Sequence, residues 1–172
     1  MVNEDRAWAL WSELKRRNPT PLSLLPILQK RNDRTSGYVW LYFLAYGPSK
    51  SDLMVVVEKV EMYRERAWEH LLTLAEPLSR EDLIHLMETV ESLQPQVWTL
   101  LSEKVLYFDQ FFAVLKVAPD LREQVFDKLL KLRPSRRVLE ALKKKVPAMT
   151  ERVDSVLGRP ERKIMEELLS VL

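Results

Sequence analysis

The chain has 172 residues, 47% of them hydrophobic and 30% charged, with 3 glycines and no cysteine. That size allows one sizeable core and that balance excludes a disordered chain, while the missing cysteine excludes disulfides and thiolate metal sites. The net charge of +2 conceals an uneven spread of +3 over residues 1–34, −5 over 35–117 and +4 over 118–172, which permits an anionic partner at the ends.

A pair made of a small apolar residue and a large one recurs about every 28 to 30 residues, at Ala7-Trp8, Val39-Trp40, Ala67-Trp68, Val97-Trp98 and Val125-Phe126, with a degenerate copy at Val153-Asp154. Self-similarity at this period marks units that stack on their neighbours. Six approximate units follow, over residues 3–34, 35–62, 63–92, 93–120, 121–148 and 149–172, within one domain.

In the first, Trp8, Trp11 and Leu14 precede Asn18-Pro19-Thr20-Pro21, and Leu22, Leu25 and Leu28 form the second stripe. In the second, Tyr38 to Tyr46 is apolar nearly all round, Gly47-Pro48-Ser49 breaks it, and Leu53, Met54, Val56, Val57 and Val60 follow. A helix without a polar face is either buried or covered by another surface. Burial is the plainer reading. On the other, Tyr38, Tyr42 and Tyr46 line an exposed aromatic groove or a contact between copies.

In the third, Ala67, Trp68, Leu71, Leu72 and Leu74 keep helical spacing up to Glu76-Pro77, where proline ends the run. Ser79 is placed to cap the next helix, with Asp82 completing a capping box, and Leu83, Ile84, Leu86, Met87 and Val90 form its apolar face. The fourth unit runs through Val97, Trp98, Leu100, Leu101 and Val105 to Phe108, Phe111, Phe112 and Leu115. The fifth pairs Val125, Phe126, Leu129, Leu130 and Leu132 with Val138, Leu139, Leu142 and Val146 across Pro134-Ser135. In the sixth, Val153, Val156 and Leu157 end at Gly158 as C-cap, and Pro160 opens a last helix bearing Ile164, Met165, Leu168 and Leu169. Four residues before the small apolar position stand Tyr63, Leu93, Leu121 and Met149, a second register that supports the first.

Arg122-Glu123-Gln124-Val125-Phe126 through Leu142, and Arg64-Glu65-Arg66-Ala67-Trp68 through Val90, resemble short HEAT-like repeats of the bacterial type. The resemblance implies an all-α fold, a right-handed α-solenoid of about six stacked antiparallel helix hairpins. The Gly-Asp or Asp-Pro turn of that family is missing, and bulky tryptophan replaces its usual small residue. Tetratricopeptide signature residues are missing too.

No chemistry of catalysis is visible. Asp82-x-x-His85 is one imperfect half of a carboxylate-bridged metal site, and neither a nucleophile elbow nor a glycine-rich phosphate loop occurs. The sequence therefore predicts a non-catalytic scaffold that needs no cofactor or metal and binds another protein or a peptide. The alternative is nucleic acid, contacted through Arg133, Arg136, Arg137, Lys143, Lys144 and Arg159, as in HEAT-like DNA-binding proteins. These cations lie in turns or near helix C-termini, where the helix dipole favours them. No run of apolar residues is long enough for a membrane span, and Glu4-Asp5-Arg6 does not open a signal peptide, so the expected location is cytoplasmic.

Overall fold

The structure, a computed structural model, describes residues 4–30, 33–158 and 168–169. Among these the chain is helical with short connections and contains no strand. None of the described helices is long and apolar enough to cross a membrane. The chain folds as two compact units, residues 1–78 and 79–172.

The first unit holds α1 (Glu4–Arg16), α2 (Leu25–Leu28), α3 (Asp33–Ala45), α4 (Lys50–Lys59) and α5 (Arg64–Leu72). Here α3 packs on α1 and α2, and α4 packs on α5. The second stripe of the first sequence unit is shorter than its spacing predicts. A single 3-10 turn, Pro21–Leu24, leads into the one-turn α2, and Leu24 and Leu28 are buried where Leu22 is exposed. Proline at positions 21 and 26 removes two amide donors from this stretch, which limits regular helix.

The second unit holds α6 (Arg80–Thr89), α7 (Gln94–Ser102), α8 (Phe108–Val117), α9 (Arg122–Lys131), α10 (Arg136–Lys145) and α11 (Thr150–Leu157). Helix α6 packs on α7 and α8, α8 on α9 and α10, and α10 on α11. The closest consecutive pairs, α6–α7, α8–α9 and α10–α11, are thus joined by one-turn 3-10 connections, one helix out of phase with the sequence units.

Those connections share one geometry. Val60, Val90, Ala118 and Val146 end their helices at φ −120, −129, −119 and −132 with ψ 84, 83, 80 and 79. Each closes its helix by donating its N–H to the carbonyl four residues back. The kink turns the chain back within three residues, so the following helix lies against the one just finished. Tyr63, Leu93, Leu121 and Met149 are the buried pegs at these corners. The first residue of the next helix then reaches back. Arg64 Nε donates to the Val57 carbonyl at 2.8 Å, Gln94 Nε2 to Met87 at 3.0 Å and Arg122 Nε to Leu115 at 2.9 Å. Side chains at this register position thereby satisfy helix-terminal carbonyls that would otherwise lack partners. Gln94 also donates to the Val117 carbonyl at 3.2 Å, tying the ends of α6 and α8 to α7.

Helix starts are set by side-chain caps. Ser79 Oγ accepts from Asp82 N at 3.0 Å and Ser79 N donates to Asp82 Oδ2 at 2.9 Å, completing the expected capping box. Ser49 and Asp52 do the same for α4, and Ser135 caps α10. At Gly158, φ is 67 and its N–H bonds to the Asp154 carbonyl, the expected C-cap. The Pro160 start of a last helix, with Ile164 and Met165, lies outside the described residues.

The core contains Trp40, Trp68, Trp98 and Phe126, each following a fully buried Val or Ala. Trp40 stacks on Phe43 and Tyr63 at centroid distances of 5.5 and 5.1 Å, and the Tyr63 hydroxyl donates to the buried Ser36. Trp8 departs from this set: it is 48% exposed, and Trp11 is the buried tryptophan of α1. The intervals explain the correction. From Trp8 to Trp40 is 32 residues and from Trp11 to Trp40 is 29, and α1 and α3 are both 13 residues long at that same offset. Two further expectations fail locally. Helix α5 stops at Leu72, ahead of Glu76-Pro77, with the Thr73 hydroxyl taking the His70 carbonyl. Val105, placed in an apolar stripe, lies in the turn after α7 and is 80% exposed, while Leu106 takes the buried place.

Candidate functional site

Helix α3 is not buried all round. Val39, Trp40 and Phe43 face the core, and Tyr38 and Leu41 are exposed, as is Tyr46 just past the helix end. An open cleft of about 610 Å³ lies between α1 and α3. Its walls are Trp8, Trp11, Tyr38, Leu41 and Tyr42, and Lys15 and Arg16 reach it from the last turn of α1.

The rings pack in pairs across the two helices. Trp8 meets Tyr38 at 4.7 Å with the planes tilted by 59°, and Trp11 meets Tyr42 edge-on at 5.5 Å and 83°. Tyr46 stands beside Tyr42 at 6.4 Å but outside the cleft lining. The Lys15 ammonium lies 5.9 Å from the Tyr42 ring centre, within cation–π range. Arg17, two residues on, is occupied by Glu13 at 2.9 Å. Among the described residues no carboxylate lines the cleft. A second groove, of about 450 Å³, runs along the other side of α1 between Leu10, Leu14, Pro26 and Ile27.

Tyr38 and Tyr42 are thus brought together, with Tyr46 next to them. Trp8, Trp11, Lys15 and Arg16, which the sequence pattern does not group with the tyrosines, complete the cleft. The available signal was the 29-residue offset between α1 and α3, which sets Trp11 beside the aromatic run once the two helices pair.

The basic candidates of the second unit do not form one set. Arg136 and Arg137 are the first two residues of α10, so the dipole argument made for them is reversed: cations there are disfavoured. Lys143, Lys144 and Lys145 do occupy the last turn, where cations are favoured. Lys143 is held by Asp154 at 2.5 Å and Glu140 at 3.8 Å; the hydrogen bond it donates to Asp154 raises its pKa above the ordinary lysine value. Lys145 lies over Phe112 at 5.8 Å. Arg133, Arg136, Arg137 and Lys144 are exposed, and no carboxylate among the described residues pairs with them. Arg159 lies outside the described residues.

Arg133 is also strained. It sits at φ 51, the left-handed position before Pro134, where the matching turns Asn18-Pro19 and Gly47-Pro48 place Asn at φ 48 and Gly at φ 76. Asn and Gly tolerate that conformation and a long side chain does not. Asp82 is engaged in the Ser79 cap, and the described residues contain no group of three or more metal-ligating side chains.

No family model, curated relative or solved structure matches the chain. The functional reading rests on the geometry of these two regions.

Proposed function

We propose that the chain is a non-catalytic binding module of the helical-repeat class, a right-handed HEAT-like array whose α1–α3 cleft recognises a segment of another protein. The recurring corner geometry at Val60, Val90, Ala118 and Val146 supports the repeat reading. One observation carries the binding reading. Trp8, Tyr38 and Leu41 are exposed together on the walls of one concave site, at 48%, 40% and 62%. Large aromatic residues held in place by ring contacts supply binding area at little ordering cost, and such residues dominate protein recognition energetics. A helix laid against such a groove, or an extended segment, buries the apolar walls.

The test is selection of displayed random peptides on the full chain and on a Trp8→Ser/Tyr38→Ser variant with an unchanged far-ultraviolet spectrum. Peptides that enrich on the parent and are lost on the variant support the reading. Absence of enrichment, or equal enrichment on both, overturns it.

Contact with nucleic acid through the turn before α10 is the second reading, favoured by Arg133, Arg136 and Arg137. All three occupy positions that local backbone energetics disfavour. A labelled oligonucleotide titrated at rising salt checks it, since phosphate contacts make affinity fall steeply with salt and Arg136→Ala/Arg137→Ala should flatten that slope. Binding that ignores salt would remove it.

A further inference from the structure

We infer that the occupant of the α1–α3 cleft is an acidic peptide segment bearing an aromatic or aliphatic anchor. This deepens the binding reading and rests on it. Among the described residues the only ionic groups lining the cleft are Lys15 and Arg16. Helix α3 carries no basic or acidic side chain after Arg34, so the aromatic wall opposite adds no charge. An apolar trough with two cations at one end complements an apolar side chain followed by carboxylates, and it repels a basic segment.

Ring geometry separates this occupant from single-stranded nucleic acid. A base needs an open ring face, and successive bases need a cationic track. Here Trp8 and Tyr38 are tilted against each other, Trp11 is edge-on to Tyr42, and the Lys15 ammonium is within cation–π range of the Tyr42 ring. The rings stand inclined to one another in a slot between two helices, with Lys15 and Arg16 as the only cations among its described lining residues and no cationic track along it. The volume of about 610 Å³ accommodates one or two large side chains.

The experiment uses fluorescence anisotropy of labelled peptides on the full chain. Three probes share a Leu-x-x-Leu-Trp anchor and differ in flanks of glutamate, glutamine or lysine; a fourth probe is a labelled oligothymidylate. The glutamate peptide is expected to bind at least about tenfold more tightly than the glutamine peptide, and the lysine peptide not at all. Lys15→Glu/Arg16→Glu, both at exposed positions, should reverse the preference between glutamate and lysine flanks, which a merely unfolded variant cannot do. Equal binding of the glutamate and glutamine peptides sinks the acidic inference and leaves the binding module standing. Failure of all three peptides sinks both. Tighter binding of the oligothymidylate, lost in the Lys15→Glu/Arg16→Glu variant, assigns the cleft to nucleic acid and overturns the inference. So does a chain that sediments as a dimer and becomes a monomer on Trp8→Ser/Leu41→Ser, because the cleft is then filled by a second copy.

Discussion

Trp98 and Trp8 belong to the same sequence pattern and live in opposite surroundings. Trp98 in α7 is 6% exposed, with Val97 buried beside it, in a helix clamped at its start by Gln94. Trp8 in α1 is 48% exposed and touches Tyr38 across an open cleft. The difference lies in what surrounds each helix within its own unit. Helix α7 packs on α6, which packs in turn on α8, whereas α1 beside α3 leaves a groove on either side. The same residue type therefore acts as a core knob in one place and as an exposed wall in the other.

The sharpest way to break this contrast is truncation of both side chains. Trp98→Ala should cost about 3–5 kcal/mol, and Trp8→Ala less than about 1 kcal/mol, when each is measured by urea unfolding. Equal losses would mean that α1 is as deeply packed as α7. The clamp gives the next largest effect. Gln94→Ala removes a buried donor from two carbonyls and should cost about 1–3 kcal/mol in the same measurement. A neutral result would mean that water or another donor takes its place.

Two smaller effects probe the basic residues at either end of α10. Arg133→Gly relieves the left-handed strain and should raise stability by about 1 kcal/mol, an outcome expected only where the arginine is retained for something other than folding. A loss of stability would show that the Arg133 side chain packs. The smallest effect belongs to Lys143 and Asp154, whose side chains are 25% and 54% exposed. Asp154 raises the Lys143 pKa, so its contribution is complete below the unfolded lysine value of 10.5 and fades as the pH climbs through the higher folded value. The melting difference between the parent chain and Asp154→Asn should be small at neutral pH and close in alkali. A difference that widens in alkali would contradict the assignment.

Much of this fold was legible in the sequence, and the exceptions have physical causes. Helices were readable because leucine and valine recur at helical spacing between prolines, and Ser79-Asp82 was readable because a capping box is a local motif. The face of α3 was not readable: Tyr38, Leu41, Trp40 and Phe43 are all apolar, so hydropathy cannot say which of them meets the core. Trp8 was misplaced because a pair motif was matched at a 32-residue interval when Trp11 fitted at 29. Arg136 and Arg137 were assigned to a favourable dipole because that judgement depends on where the helix starts, and Ser135 starts it immediately before them. Gln94 went unnoticed as a clamp, although it stands three residues before its small apolar partner, as Arg64 and Arg122 do.

The central claim is that one tryptophan of the five lies open on a binding surface while the others are enclosed. Acrylamide quenching of tryptophan emission tests this directly, on the parent chain and on Trp8→Phe, with and without the glutamate-flanked peptide. The account predicts a readily quenched fraction that disappears in Trp8→Phe and is protected when the peptide binds. A quenching curve unchanged by Trp8→Phe, or a Trp8 signal indifferent to a bound peptide, would contradict it.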